Sequence, residues 1–267
     1  VAGIDQSPID TGRLDDELAS DNELTLQEVR GLGANKRGLH AIEYLLFPAD
    51  DAELEAALLA DDTDGERRRQ FVSLAAQVVA DNAEALRAAW DPEMGGYATR
   101  FAEPGKSDSV STSVQAGLDT LLNETVVLTE LIANVKLGKP LGSATGGTID
   151  VGAQESERAG VSLSDMASSL RGIRNIYFGA RDGSVEPNLS TLVHAKSPSA
   201  DVHAREAMDA AAAALDAIPE PFGDALNDSP ETATAAYDAL KALKRVLATE
   251  VLSSLGASLK FSDNDGD

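Results

Sequence analysis

The chain has 267 residues, enough for a sizeable apolar core in one large domain or two smaller ones. Hydrophobic residues make up 43% of it but aromatics only 4%, so alanine, leucine and valine must fill the core, and the first two favour helix. Asp and Glu number 45 against 22 Lys plus Arg, a formal charge of -23 that repels nucleic acid and anionic membrane and excludes both as expected partners.

The first twenty-odd residues read as acidic and turn-rich. Thr25-Leu-Gln-Glu28 then reads as a capping box, in which hydroxyl and carboxylate satisfy free N–H groups at a helix start. Gly31 and Gly33 interrupt, and a second helix is predicted from about Asn35 to Phe47, where Pro48 stops it. A short acidic helix comes next over 51–60, then a long amphipathic one from Glu66 to Trp90. DPEMGGY ends that helix, and the chain to about Asp108 reads as irregular. Leu118, Leu121, Leu122, Val126 and Leu128 mark another helix over 111–135. The glycine-rich stretch KLGKPLGSATGGTIDVG, 136–152, is too long for a tight turn and is the candidate boundary. Helices over 162–179, 188–195, 199–218 and 230–255 complete the chain. No strand alternation is evident. The expected fold is all-α, with two helical-bundle halves, 1–142 and 143–267.

Without cysteine there are no disulfides and no thiolate metal sites. No stretch reaches the ~20 apolar residues of a membrane span. The opening VAGIDQSPIDTG lacks a basic start and an apolar signal core, as in a cytoplasmic protein or one whose precursor begins further upstream. Eight lysines against 14 arginines and abundant aspartate suggest salt adaptation, with ionic strength screening the self-repulsion.

KRGLHAIEYLLF, Lys36 to Phe47, holds one of only three histidines. His40 and Glu43 are three residues apart, so a helix stacks them on one face with Cβ atoms about 5–6 Å apart. Imidazole nitrogen and carboxylate oxygen so placed can share a cation, and carboxylate–histidine pairs at this spacing serve bundle di-iron proteins. The same pair can hydrogen-bond within a core and need no metal. Among Ile42, Tyr44, Leu45, Leu46 and Phe47 a buried charge must be paired or metal-bound, and spacing alone leaves both readings open. Gly38 leaves room beside the histidine for a ligand or a neighbouring backbone. Tyr44 points about 100° away from Glu43 and is expected in the core.

The stretch resembles the GxHxxE signature of the imelysin family through Gly38, His40 and Glu43. RRRQFVSLAAQVVADNAEALRAAW resembles that family's long helix ending in tryptophan, and KLGKPLG one of its loops. QESERAGVSLSDMASSLRGIRNIYFG resembles its ES…S…L.GI…Y block, with Glu157-Arg158-Ala159 where apolar residues are usual, and LGASLKFSDNDGD its closing segment. The similarity runs from Asp10 onward; the family's first helices, upstream of this point, are absent, which suggests a truncated or processed chain. The resemblance implies two bundle-like halves with the GxHxxE helix near their junction. It implies a metal on His40 and Glu43, and export to the periplasm or outer cell surface, often with a lipid anchor. Family members are metallopeptidases, iron-regulated proteins, or the periplasmic part of iron uptake, where an iron-transport protein is the partner.

On this reading the cofactor is a divalent or ferric ion, iron first and zinc as the alternative. Glu155, in the QES block, is the expected further ligand from the second half, ahead of Asp119. A zinc peptidase needs three protein ligands and a water. HExxH is absent, and His194 and His203, the remaining imidazoles, sit by helix ends. Metal binding is therefore the leading expectation, with a metallopeptidase or a non-catalytic binding module as alternatives. Arg171 and Arg174, three apart, suit orienting carboxylates, binding an anion, or a salt bridge between the halves. FSDNDGD lacks the twelve positions and closing glutamate of an EF-hand and reads as a solvated tail.

Overall fold

Thr25 begins a helix as its spacing with Glu28 predicts: its side chain accepts from the Glu28 N–H, and the Glu28 carboxylate accepts from the Thr25 N–H. The computed structural model describes residues 4–48, 51–143, 146–179 and 187–259, so the FSDNDGD tail lies outside it. Every regular element among the described residues is helical, and the chain is all-α. Two compact units divide it, Val1–Thr99 and Arg100–Asp267.

The first unit opens with α1 (Thr11–Leu18), where the sequence reads as turns. Asp10 caps it by accepting from the Arg13 N–H, and Leu14 and Leu18, one turn apart, are its only buried residues. Arg67 closes its C-terminus, donating to the carbonyls of Leu18 at 2.8 Å and Glu17 at 3.2 Å. Next come α2 (Leu26–Gly31), a 3₁₀ turn (Ala34–Lys36) and α3 (Leu39–Leu46). The expected single helix from Asn35 to Phe47 is thus two pieces, broken where Gly38 takes a φ of 94°. After α4 (Asp51–Leu54) and a π-helical turn (Glu55–Leu59), Asp62 caps the long α5 (Thr63–Trp90). α5 is the spine of this unit: α1, α2 and α3 pack along it, and Phe71, Ala75 and Val78 meet Leu14, Val29, Ala41 and Leu45 in the core. The apolar run of α3 is only partly buried, since Leu39, Leu46 and Phe47 stay exposed.

The short α6 (Tyr97–Ala102), in a stretch expected to be irregular, carries the chain into the second unit. There α7 (Val114–Glu130) continues through a π-helical stretch (Leu131–Leu137) into α8 (Gly138–Leu141). The start of the glycine-rich connection is therefore helix, ended by Gly142 in the left-handed region. The π stretch turns Asn134 towards the last long helix, where its side-chain oxygen accepts from Tyr237 at 3.3 Å and Lys241 at 3.1 Å. Beyond it lie α9 (Ser162–Phe178), α10 (Leu189–Lys196), α11 (Pro198–Asp216), α12 (Phe222–Asp228), α13 (Pro230–Val246) and, after another π-helical turn, α14 (Leu252–Ser254). α7, α9, α11 and α13 enclose an apolar core that includes Leu122, Ile173, Met208 and Leu240.

α9, α10 and α11 are tied by a carboxylate. Asp201, 3% exposed, accepts from Ser190 Oγ at 2.5 Å, Tyr177 OH at 3.0 Å and Arg205 Nε at 3.0 Å. Burial opposes its ionisation, but the three donors and the Arg205 charge outweigh that and hold its pKa below the ordinary value. Tyr177 is pushed upward, first by burial and then by its bond to Asp201.

Candidate metal centre

Gly38 is the residue from which the site is built. Its backbone, φ 94° and ψ -169°, lies in a region that only glycine occupies readily. A Cβ there would lie 2.8 Å from the Ile4 carbonyl oxygen and 3.4 Å from Asp5 Cα. The room expected beside the histidine is taken by a neighbouring backbone. The Ile4 carbonyl also accepts from the Leu39 N–H at 3.0 Å, so the leading segment satisfies one of the free donors at the start of α3.

This contact delivers a residue that spacing gave no sign of. His40 Nδ1 lies 2.8 Å from Glu43 Oε2, and His40 Nε2 lies 3.5 Å from Asp5 Oδ1. The imidazole stands between two carboxylates. Its side chain is 10% exposed, that of Glu43 12% and that of Asp5 34%. With Nδ1 engaged by Glu43, Nε2 is the ring nitrogen that faces Asp5, and in the Nδ1–H tautomer of the imidazole it carries the lone pair. A carboxylate holding Nδ1–H is the usual partner of a histidine that ligates metal through its other nitrogen. Asp5 Oδ1 is buried and accepts no hydrogen bond among the described residues. Nothing in the local spacing marks Asp5; it reaches His40 only because Gly38 admits the segment that carries it.

Tyr44 OH donates to Asp15 Oδ2 at 2.7 Å, bracing α3 against α1. Glu155 belongs to the second unit, where it is ion-paired with Lys136. Asp119 accepts from Gln115 at 2.8 Å. His203 pairs with Glu250 at 2.6 Å, and this bond raises its pKa. His194 Nδ1 lies 3.4 Å from Asp201 Oδ2. Arg174 pairs with Asp209 at 2.6 Å, and Arg171 donates to Ser168 Oγ at 3.0 Å; both line a cleft of the second unit.

No curated protein matches the sequence. Among solved structures the chain is similar to a candidate iron-regulated protein A precursor from Parabacteroides distasonis, with a TM-score of 0.72, 20% identity, and coverage of 95% of this chain and 74% of that one. It is also similar to an imelysin peptidase from Bacteroides ovatus, with a TM-score of 0.51, 25% identity, and coverage of 59% of this chain but only 45% of the other. The first likeness is one of fold. The family model for imelysin matches residues 3–247, a span that holds the Gly38 turn, the Asp5–His40–Glu43 cluster and the helices from α1 to α13, and on that match the chain belongs to the imelysin family.

Proposed function

We propose that this chain is a cell-envelope metal-binding protein that handles iron. Its first unit holds the ion through His40 Nε2 and Asp5 Oδ1, and Glu43 is the carboxylate that fixes the imidazole. The observation that supports this reading is Asp5 Oδ1, a buried carboxylate oxygen that accepts no hydrogen bond among the described residues and faces an imidazole nitrogen at 3.5 Å. Such an oxygen is costly to bury unless a positive charge or a donor meets it. The separation lets both atoms reach one cation at ordinary ligand lengths of about 2.0–2.2 Å. One imidazole with carboxylate oxygens suits hard and borderline cations, iron and zinc among them. A bound ion supplies positive charge and Lewis acidity; the chain's part is to keep the ring in one tautomer and aim its lone pair. The iron role and the envelope location draw on the relatives: one is an iron-regulated precursor, and both share the fold. An iron-transport protein is the partner this role requires.

The test is titration of the chain with iron(II) and zinc(II). The wild type is expected to take one ion per chain. Asp5→Asn and His40→Ala should each weaken binding by more than about 100-fold, and Glu43→Gln by about 10–100-fold. Wild-type affinity in both Asp5→Asn and His40→Ala would overturn the assignment. Chelator-sensitive cleavage of a peptide panel, measured on the same preparations, separates a metal binder from a metallopeptidase.

A further inference from the structure

In the second unit a cleft of about 430 Å³ opens between α9 and the C-terminal end of α11. That size lies within the ~300–1,000 Å³ of small-molecule pockets. Its floor is aliphatic, built from the buried Leu163, Leu170, Leu215 and Ile218. The hollow exists because Ala167 on α9 and Ala212 on α11 are too small to fill it.

The two walls carry opposite charge. On α9 stand Arg171 and Arg174; on the other side stand Asp216, the last residue of α11, and Glu220 just beyond. The carbonyls that end α11 add partial negative charge to the acidic wall. Arg174 is engaged with Asp209, but Arg171 is exposed and makes no ion pair among the described residues, and neither Asp216 nor Glu220 makes one. In a chain with 45 acids and 22 bases, most acids must lack a partner; an arginine without one is the feature that asks for a ligand. An anion alone would meet Asp216 and Glu220, and a cation alone would meet the arginines. A molecule with a carboxylate at one end, an ammonium at the other and hydrocarbon between satisfies both walls and the floor.

We propose that this cleft binds a short zwitterionic peptide with aliphatic side chains, about dipeptide-sized, its carboxylate on Arg171 and its ammonium on Asp216 and Glu220. A guanidinium with free donors takes a carboxylate through two parallel bonds. All these residues lie in the second unit, so the assignment is independent of the Asp5–His40–Glu43 cluster.

Calorimetric titration of the intact chain with Leu-Leu tests it. The wild type is expected to bind one Leu-Leu saturably. Arg171→Gln should weaken binding at least about tenfold, as should blocking both ends in N-acetyl-Leu-Leu-amide. Ala167→Phe, a substitution at an exposed position, should fill the hollow and abolish binding while circular dichroism and the melting midpoint stay at wild-type values. Absence of saturable binding to the wild type at millimolar Leu-Leu overturns the proposal. So does undiminished binding in Arg171→Gln, or in an Ala167→Phe variant that keeps the wild-type midpoint.

Discussion

Replacing Gly38 with alanine sets two demands against each other. The backbone must keep φ at 94° for the Leu39 N–H to meet the Ile4 carbonyl at 3.0 Å, yet a Cβ would lie 2.8 Å from that same oxygen. Holding a non-glycine residue in this region costs on the order of 1–3 kcal/mol, and relief requires the Ile4–Asp5 segment to move away. Gly38→Ala is therefore expected to lower the urea midpoint and to weaken metal binding, although neither Asp5 nor His40 has changed. Gly31 is the control: a Cβ there meets nothing within 4 Å, so Gly31→Ala should be neutral or stabilising by about 0.4–1 kcal/mol. A Gly38→Ala chain with both wild-type midpoint and wild-type affinity would show that the leading segment does not set the site. The same contrast separates the legible part of the site from the rest. His40 and Glu43 lie one helical turn apart, and helix geometry alone predicts their contact, found at 2.8 Å. Asp5 meets the same ring through a tertiary contact, and no local periodicity records such a contact.

The helix start written by Thr25 with Glu28 was readable. α5 was expected only from Glu66 and begins at Thr63, because Asp62 in the acidic stretch before it acts as the cap, and Asn188 with Thr191 forms a second capping box at the start of α10. α1 was not readable, because two buried leucines in eight mostly polar residues give little periodicity, and the Arg67 donors that close it come from α5. Nor were the π-helical stretches, which leave the apolar pattern almost unchanged while shifting the register of the next helical turns. The Asp201 junction of α9, α10 and α11 belongs to the same class, being assembled from Tyr177, Ser190 and Arg205 on three elements. It has a titration signature. Because the folded pKa of Asp201 is depressed, its contribution is complete above the unfolded carboxylate value near 3.9 and is lost as pH falls through the lower folded value. Asp201→Asn removes the charge at every pH and should cost about 2–3 kcal/mol at neutrality. Urea midpoints of wild type and variant should run parallel from about pH 5 to 8 and converge below about pH 4. A gap that stays constant down to about pH 2.5 would assign the loss to packing and not to the carboxylate.

The whole molecule carries 45 acidic side chains against 22 basic ones, and many of its ion pairs, such as Arg87 with Glu84 and Lys106 with Glu103, are exposed and worth little. Most of the remaining charge is unbalanced and repels itself across the surface. Screening shortens from about 10 Å at 0.1 M salt to about 3 Å at 1 M, less than the spacing of most neighbouring surface charges. We expect the melting midpoint to rise by several degrees between 0.1 and 1 M KCl, since about 1–2 kcal/mol of relieved repulsion corresponds to ~2–4 °C per kcal/mol in a chain of this size. The field that opposes folding also concentrates cations near the surface, and Asp5 and Glu43 add two negative charges beside His40. Iron and zinc affinity should therefore fall over the same range in which the midpoint rises. Screening depends on ionic strength alone, so NaCl and KCl should move both quantities equally. Direct occupation of the site beside His40 by a salt cation would instead stabilise the fold and compete with iron and zinc to an extent that differs between Na⁺ and K⁺.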